Sequence, residues 1–198
     1  VKPLPKYTIA VPPFRSDLFL LSLCQMASDF VVEFNTGAIS LYSAEMMKNC
    51  LALVSCFATK DPMFHKGFSA VPADKAIAAF TGTPVQKELI FDPTSTFSSA
   101  SLSFLYMMSL HNKNFIKQLG KSGLSNRFVF DLIYTMQFSF ERVGICYVHS
   151  ILISTLMLIL HDDNAAKELM KPQTRRLLVN FRTYSHTYAD LLFEIILN

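Results

Sequence analysis

The chain has 198 residues, of which 51% are hydrophobic and 17% charged, with 18 Phe and a formal net charge of +3. Recurrent helix-sized apolar segments exclude disorder, and 18 Lys and Arg against 15 Asp and Glu leave no extended basic field for nucleic acid. A mean hydropathy of +0.32 is high for a soluble domain of this size; it implies a piece of a larger protein or a surface that meets a partner.

Residues Val1–Pro13 carry four prolines and read as an extended lead-in. Phe14–Phe34 is the first expected helix, with Leu18, Leu21, Cys24 or Gln25, Ser28 and Val32 along one side and Gly37 as its stop. Ser40–Ala58 is the second, its inward stripe Met46, Met47, Cys50, Leu51, Val54 and Phe57. Lys60-Asp61-Pro62 breaks it and starts a short helix from Met63 to Phe68; Pro72–Phe80 is another, with Pro near its first turn. Thr81–Thr94 reads as loop with a brief helix around Gln86–Phe91.

Ser95–His111 is the next long helix, with Ser98, Ser99, Ser101 and Ser103 facing out and Leu102, Leu105, Tyr106 and Met108 facing in. Asn112–Leu119 follows as a short amphipathic piece ending at Gly120, and Leu124–Phe138 as a further helix. Val143–Leu160 passes without a charge or a proline. At about 1.5 Å per residue it would be roughly 27 Å long, and its apolar faces call for burial all round. A bilayer crossing needs about 20 apolar residues, and His149, Ser150, Ser154 and Thr155 interrupt the run. The expectation is a central helix wrapped by its neighbours, the alternative an integral membrane protein using 143–160 as a transmembrane helix. Asn164–Met170, ended by Lys171-Pro172, and a last helix from about Thr187 to Leu197 complete the series. Strand signals are confined to a few residues around Leu177–Phe181.

One pattern occurs twice. Leu110–Lys121 (LHNKNFIKQLGK) and Leu160–Lys171 (LHDDNAAKELMK) both read L-H-x-x-N-x-x-K-x-L-x-K, 160 − 110 = 50 residues apart. A weaker echo lies about 50 residues earlier, where the helix ending at Ala58 meets Thr59-Lys60-Asp61-Pro62-Met63-Phe64. Each copy is a long helix, a polar turn and a short helix folding back across its end. Repeats of two or three helices near 40–47 residues mark armadillo and HEAT arrays, and such units bury their faces only against neighbours. The expected fold class is all-α, an armadillo/HEAT-like helical-repeat solenoid fragment. It would be one solenoid segment over 1–198, with a first repeat region at 1–80, a loop-rich connector at 81–94 and further repeats at 95–198. Neither end reads as a natural terminus, so a longer cytosolic chain is expected.

No constellation for chemistry emerges. The four cysteines (Cys24, Cys50, Cys56, Cys146) sit in apolar helical runs without a CxxC pair and read as buried free thiols. His111 and His161 stand at equivalent helix C-termini, where an imidazole can bond free carbonyls and favour the dipole's negative end. His149 lies in the apolar run and reads as hydrogen-bonded locally; with Cys146, at i, i+3, it would be the only basis for a hydrolase, shut away from substrate. His65 and His186 have no partner at ligand spacing, and neither HExxH, G-x-S-x-G, P-loop nor dinucleotide motif occurs. Asp162-Asp163 reads as a solvated turn. No catalytic, cofactor-binding or metal-binding residue is assigned, and no cofactor. The one local basic cluster, Lys167, Lys171, Arg175, Arg176 and Arg182, would suit acidic lipid headgroups or an acidic partner.

The second half resembles a known family. Glu141-Arg142-Val143-Gly144 leads into an apolar helix; Asn164-Ala165-Ala166-Lys167-Glu168-Leu169-Met170-Lys171-Pro172 follows, and then Thr187-Tyr188-Ala189-Asp190-Leu191-Leu192. This order is similar to that of the high-temperature-induced dauer-formation protein family and its relative dymeclin. In that family an R-V-G-type helix start leads to an L-N-K-P-like segment and an H-A-D-L-L-like helix start. Leu110–Gly123 and the helix toward Tyr134 fit the same order, so the resemblance spans about Gln86–Asn198. Here Met170 stands where the family has Asn, and His161-Asp162-Asp163 replaces a Ser/Glu/Arg-like turn. The resemblance implies a large, all-helical, non-enzymatic protein on the cytosolic face of the Golgi (trans-Golgi network). It would be peripheral on the membrane through a lipid anchor outside this stretch, would bind protein partners, and would act in vesicle trafficking and dense-core secretory granule formation.

Overall fold

A computed structural model of the chain describes residues 14–36, 41–81, 96–125, 128–129, 131–133, 135, 146–172 and 187–197. In chain order they form α1 (Ser16–Thr36), α2 (Leu41–Ala58), α3 (Pro62–Ala70), α4 (Ala73–Thr81), α5 (Thr96–His111) and α6 (Lys113–Lys121). Helical residues at 125, 128–129, 131–133 and 135 make up α7. Then come α8 (Cys146–Leu160), α9 (Asp163–Leu169) and α10 (Tyr188–Leu197). No strand occurs among the described residues; one isolated antiparallel bridge joins Pro172 to Thr187. The fold is all-α. The expected lead-in at Val1–Pro13, the connector from 82 to 94 and the extended residues at Leu177–Phe181 lie outside the described residues.

Three helix starts share one construction. The Asp61 carboxylate accepts from Met63 N at 2.8 Å, and Pro62 takes the first helical position, where a missing N–H leaves nothing unsatisfied. Asn112 Oδ1 accepts from Phe115 N at 2.9 Å to open α6. Asp162 Oδ1 accepts from Asn164 N and Ala165 N at 3.0 and 3.3 Å to open α9. Each cap ends a long helix (α2, α5, α8) and begins a short one (α3, α6, α9). α10 starts on a reciprocal box instead: Thr187 N donates to Asp190 Oδ2 at 2.9 Å and Asp190 N to Thr187 Oγ1 at 3.2 Å.

The long helices pack in series, α2 on α5 and α5 on α8, while α1 packs on α3 and α4, α4 on α6, and α6 on α9. α5 is therefore the hub. It meets α2, α3, α6 and α8, and buries Leu102, Phe104, Leu105, Met107 and Met108. Phe80 of α4 joins the rows, its ring 5.8 Å from Phe104, 6.1 Å from Phe115 and 6.0 Å from Phe128. Burying one such ring contributes about 1.5–3 kcal/mol, and a tilted or edge-on ring pair adds about 0.5–1.5 kcal/mol.

Several faces differ from expectation. α8 is not wrapped all round: Leu152, Thr155, Leu156 and Ile159 are buried, while Ile153 and Met157 are 41% and 68% exposed. It packs chiefly on α5 and α9 among the described residues, so uniform apolarity here reflects one buried face and one uncovered face. The Thr155 hydroxyl is satisfied by donating to Ile151 O at 2.7 Å. On α1 the buried face is Leu20, Leu23, Cys24, Ala27, Phe30 and Val31, with Leu18 exposed. That helix is apolar on two arcs, and contact with α3 and α4 selects between them. On α2, Met47, Leu51, Val54 and Ala58 are buried and Met46 and Phe57 exposed. Ser101, expected outside, is buried on α5, because the hub is covered on more than one side.

Candidate functional site

The site-bearing part of the molecule is the row of turns where long helices end. α6 is strongly two-faced: Phe115, Leu119 and Gly120 are buried, while Lys113, Lys117 and Lys121 are exposed. Its cap is a buried polar node. Asn112 Nδ2 donates to Phe68 O and Val71 O, both at 2.9 Å, so the side chain that opens α6 also serves the carbonyl end of α3.

Farther along, α6 comes so close to the start of α9 that Gly120 has no room for a Cβ. One placed there would collide with Asp162 Oδ1 and lie 3.2 Å from Asp162 Cγ and 3.3 Å from Asn164 Cβ. Where the ends of α5 and α8 and the outer face of α6 meet, they enclose a groove of about 390 Å³. Leu110, Ile116 and Leu158 supply its apolar wall, and Lys113, Lys117, His161, Asp162 and Ser109 its polar one. Asp162 is occupied by the N–H groups of α9. The Ser109 hydroxyl is buried without a hydrogen-bond partner among the described residues.

The histidines take roles other than those expected from spacing. Among the described residues neither the His111 nor the His161 ring bonds a helix-end carbonyl. That function falls to His65, which reaches back from α3 so that Nε2 donates to Ala58 O at 2.6 Å. The short helix that folds back, rather than the last residue of the long one, is placed to meet the free carbonyls. His111 instead stacks on His65, ring centroids 4.0 Å apart and planes within 12°. Burial, and secondarily the neighbouring His65, lower the His111 pKa. His161 is exposed on the groove. The pairing of His65 with His111 has no signature in the sequence, since nothing in 46 residues of separation marks it.

The thiols also divide. Cys24 is buried, and burial pushes its pKa up to about 12. Cys50 is half-buried and Cys56 exposed, so the expectation of uniformly buried thiols is corrected; Cys56 lies on the side of α2 opposite its buried stripe. Of the basic cluster, Lys167 and Lys171 are exposed, and Lys171 is paired with Glu168 at 2.6 Å. Arg175, Arg176 and Arg182 lie outside the described residues, as do Glu141–Gly144, His186 and the side chains of Cys146 and His149. Asp162 and Asp163 are no carboxylate pair: the first caps α9 and the second is its exposed first residue. Among the described residues no three His, Cys, Asp or Glu side chains gather as a metal site. No protein-family model, no curated protein and no solved structure matches the chain.

Proposed function

We propose that the chain is a stretch of a non-enzymatic helical-repeat scaffold, armadillo/HEAT-like in plan. It acts as a peripheral membrane protein on the cytosolic face of the Golgi, binding protein partners in secretory and dense-core vesicle formation. The observation that carries the repeat reading is the recurrence of one construction at Asp61, Asn112 and Asp162, with the long helices α2, α5 and α8 in series. Units of this kind bury their faces only against neighbours, which accounts for Ile153, Met157 and Phe193 at the surface. The Golgi assignment rests on the resemblance of Asn164–Pro172 and Thr187–Leu192 to the high-temperature-induced dauer-formation protein family. Peripheral attachment is favoured because no helix among the described residues is long and apolar enough to cross a membrane.

The test is fractionation of the tagged full-length protein against Golgi markers, followed by a carbonate wash of the membrane pellet. Release from Golgi membranes into the wash is the expected result. Retention in the pellet would overturn the peripheral reading, and a pool wholly in the cytosol would remove the Golgi assignment while leaving the repeat reading intact.

A further inference from the structure

We propose that the chain pairs with a second copy of itself through an exposed aromatic patch where α1, α2 and α3 meet. The proposal stands apart from the Golgi reading, because it rests on this patch alone. Phe14, just ahead of α1, and Leu53 and Phe57 of α2 are each half or more exposed, and Phe19 is 41% exposed. Single apolar side chains at a surface are ordinary, but these are joined.

The Phe14 ring lies 5.6 Å from Phe19 and 5.9 Å from Phe64, and Phe57 stacks on Phe64 at 6.0 Å with planes within 17°. Phe64 is buried, so it forms the floor on which the exposed rings of α1 and α2 meet. Leu53 continues the patch one turn before Phe57. Ser16 Oγ donates to Met63 O at 2.9 Å, which fastens the start of α1 to that of α3, where the Met63 side chain is exposed. The rings brace one another, so little side-chain freedom is left to lose on docking.

The area fits a dimer. A fully exposed aromatic presents about 150–250 Å², so three half-exposed rings with Leu53 and Met63 offer roughly 400–500 Å² of apolar surface. An interface of standard size takes about 800 Å² from each partner. Homodimer interfaces are about 65% apolar, which asks for roughly 500 Å² of this kind.

The rim selects the occupant. It carries Arg15 and Asp17, paired at 2.8 Å, Lys60 and Asp61 in the turn between α2 and α3, and Lys66 one turn beyond Met63. Three cations against two carboxylates leave one net positive charge. That is little attraction for an anionic bilayer, whose pull grows with each net basic residue, and little for a strongly acidic partner. A rim of mixed sign suits its own image instead. Across a twofold axis the same patch faces itself, and rim cations meet carboxylates of the mate.

The test is sedimentation velocity of the 198-residue chain at about 1–100 μM, the span of the weaker affinities that interfaces of this area support. The expected result is a concentration-dependent shift from 22.4 kDa toward twice that mass and no further. Leu53→Glu and Phe14→Glu are each expected to weaken pairing about tenfold or more, since each puts a charge in the apolar centre. Met157→Glu, on the uncovered face of α8, is expected to leave it unchanged. Circular dichroism at low concentration checks that the variants fold, which the exposure of the substituted side chains favours. A monomer at every concentration would overturn the proposal, and cosedimentation of that monomer with phosphatidylserine vesicles would name a bilayer as the occupant instead. Growth past the dimer would overturn the twofold pairing, and so would association that neither Leu53→Glu nor Phe14→Glu weakens.

Discussion

The imidazoles of His65 and His111 lie face to face, 4.0 Å apart, at the junction of α3 with the end of α5. His65 is held there by its bond to Ala58 O, so a proton arriving on His111 enters a half-buried site beside a second ring. Burial first, and His65 second, lower the His111 pKa from 6.5. The unfolded chain then binds more protons than the folded one between the ordinary His value and the lowered one. Stability on this account is full above about pH 6.5, falls as pH drops through the folded value, and levels off below it. The urea midpoint is expected to decrease on acidification through that range, and the decrease to shrink in His111→Phe, which keeps a flat ring in the stack. An unchanged acid slope in that variant would place its origin elsewhere.

Asn112 ties α3 to α6 through three bonds of 2.9 Å from one buried side chain. Asn112→Ala removes the cap, takes the amide donor from Val71 O and leaves Phe68 O with only the 3.3 Å bond from Val71 N, so a loss of about 2–4 kcal/mol is expected in urea unfolding. Asn112→Asp keeps an acceptor for Phe115 N but turns a carboxylate toward Phe68 O and Val71 O. It is expected to be no better than Ala. Rescue by Asp would mean that the cap alone matters.

Two glycines mark places where helices touch backbone to side chain. At Gly67 an added Cβ would lie 2.8 Å from Leu20 Cδ1 and 3.0 Å from the Ser16 carbonyl carbon. At Gly120 it would displace the Asp162 cap. In an open helix Gly→Ala gains up to about 1 kcal/mol. Here Gly67→Ala is expected to lose about 1–3 kcal/mol, and Gly120→Ala somewhat less, because the Asp162 side chain can swing away. Melting curves of both variants measure this, and a gain at either position would show that the helices stand farther apart.

The sequence specifies the helix series closely, and it does so where caps are local. Asp61-Pro62, Asn112 and Thr187 with Asp190 act within three residues, so their roles are visible in the chain itself. Which arc of α1 or α2 is buried was not legible, because both helices carry apolar residues on more than one side and the partner helices decide. The stripes expected from spacing run through Leu18 on α1 and Met46 on α2, and both are exposed. The uncovered face of α8 was missed for the same reason. The groove is partly legible: the repeated L-H-x-x-N-x-x-K pattern contains His161 and Lys117, but their meeting requires α6 to lie against the start of α9. The unmatched hydroxyl of Ser109 has no sequence signal at all.

Thiol chemistry offers a readout that needs no mutation of the core. Cys24 is buried with its pKa pushed up to about 12, and Cys56 is exposed. Modification by an aromatic disulfide reagent near neutral pH is expected to label Cys56 quickly and Cys24 only at the rate of unfolding. Mass spectrometry of peptides across a urea series would measure it. Early labelling of Cys24 would mean that α1 separates from α3 and α4 before the rest of the molecule opens.

The amide of Asn112 reaches Phe68 O and Val71 O across 44 and 41 positions of chain. During synthesis Phe68 O therefore has only the local bond from Val71 N, at 3.3 Å, and Val71 O lacks its amide donor, until α5 has been made in full. The first four helices emerge as an unfinished nascent domain, completed by a residue that the ribosome adds much later. A pause in translation placed before Asn112 would prolong that open stage.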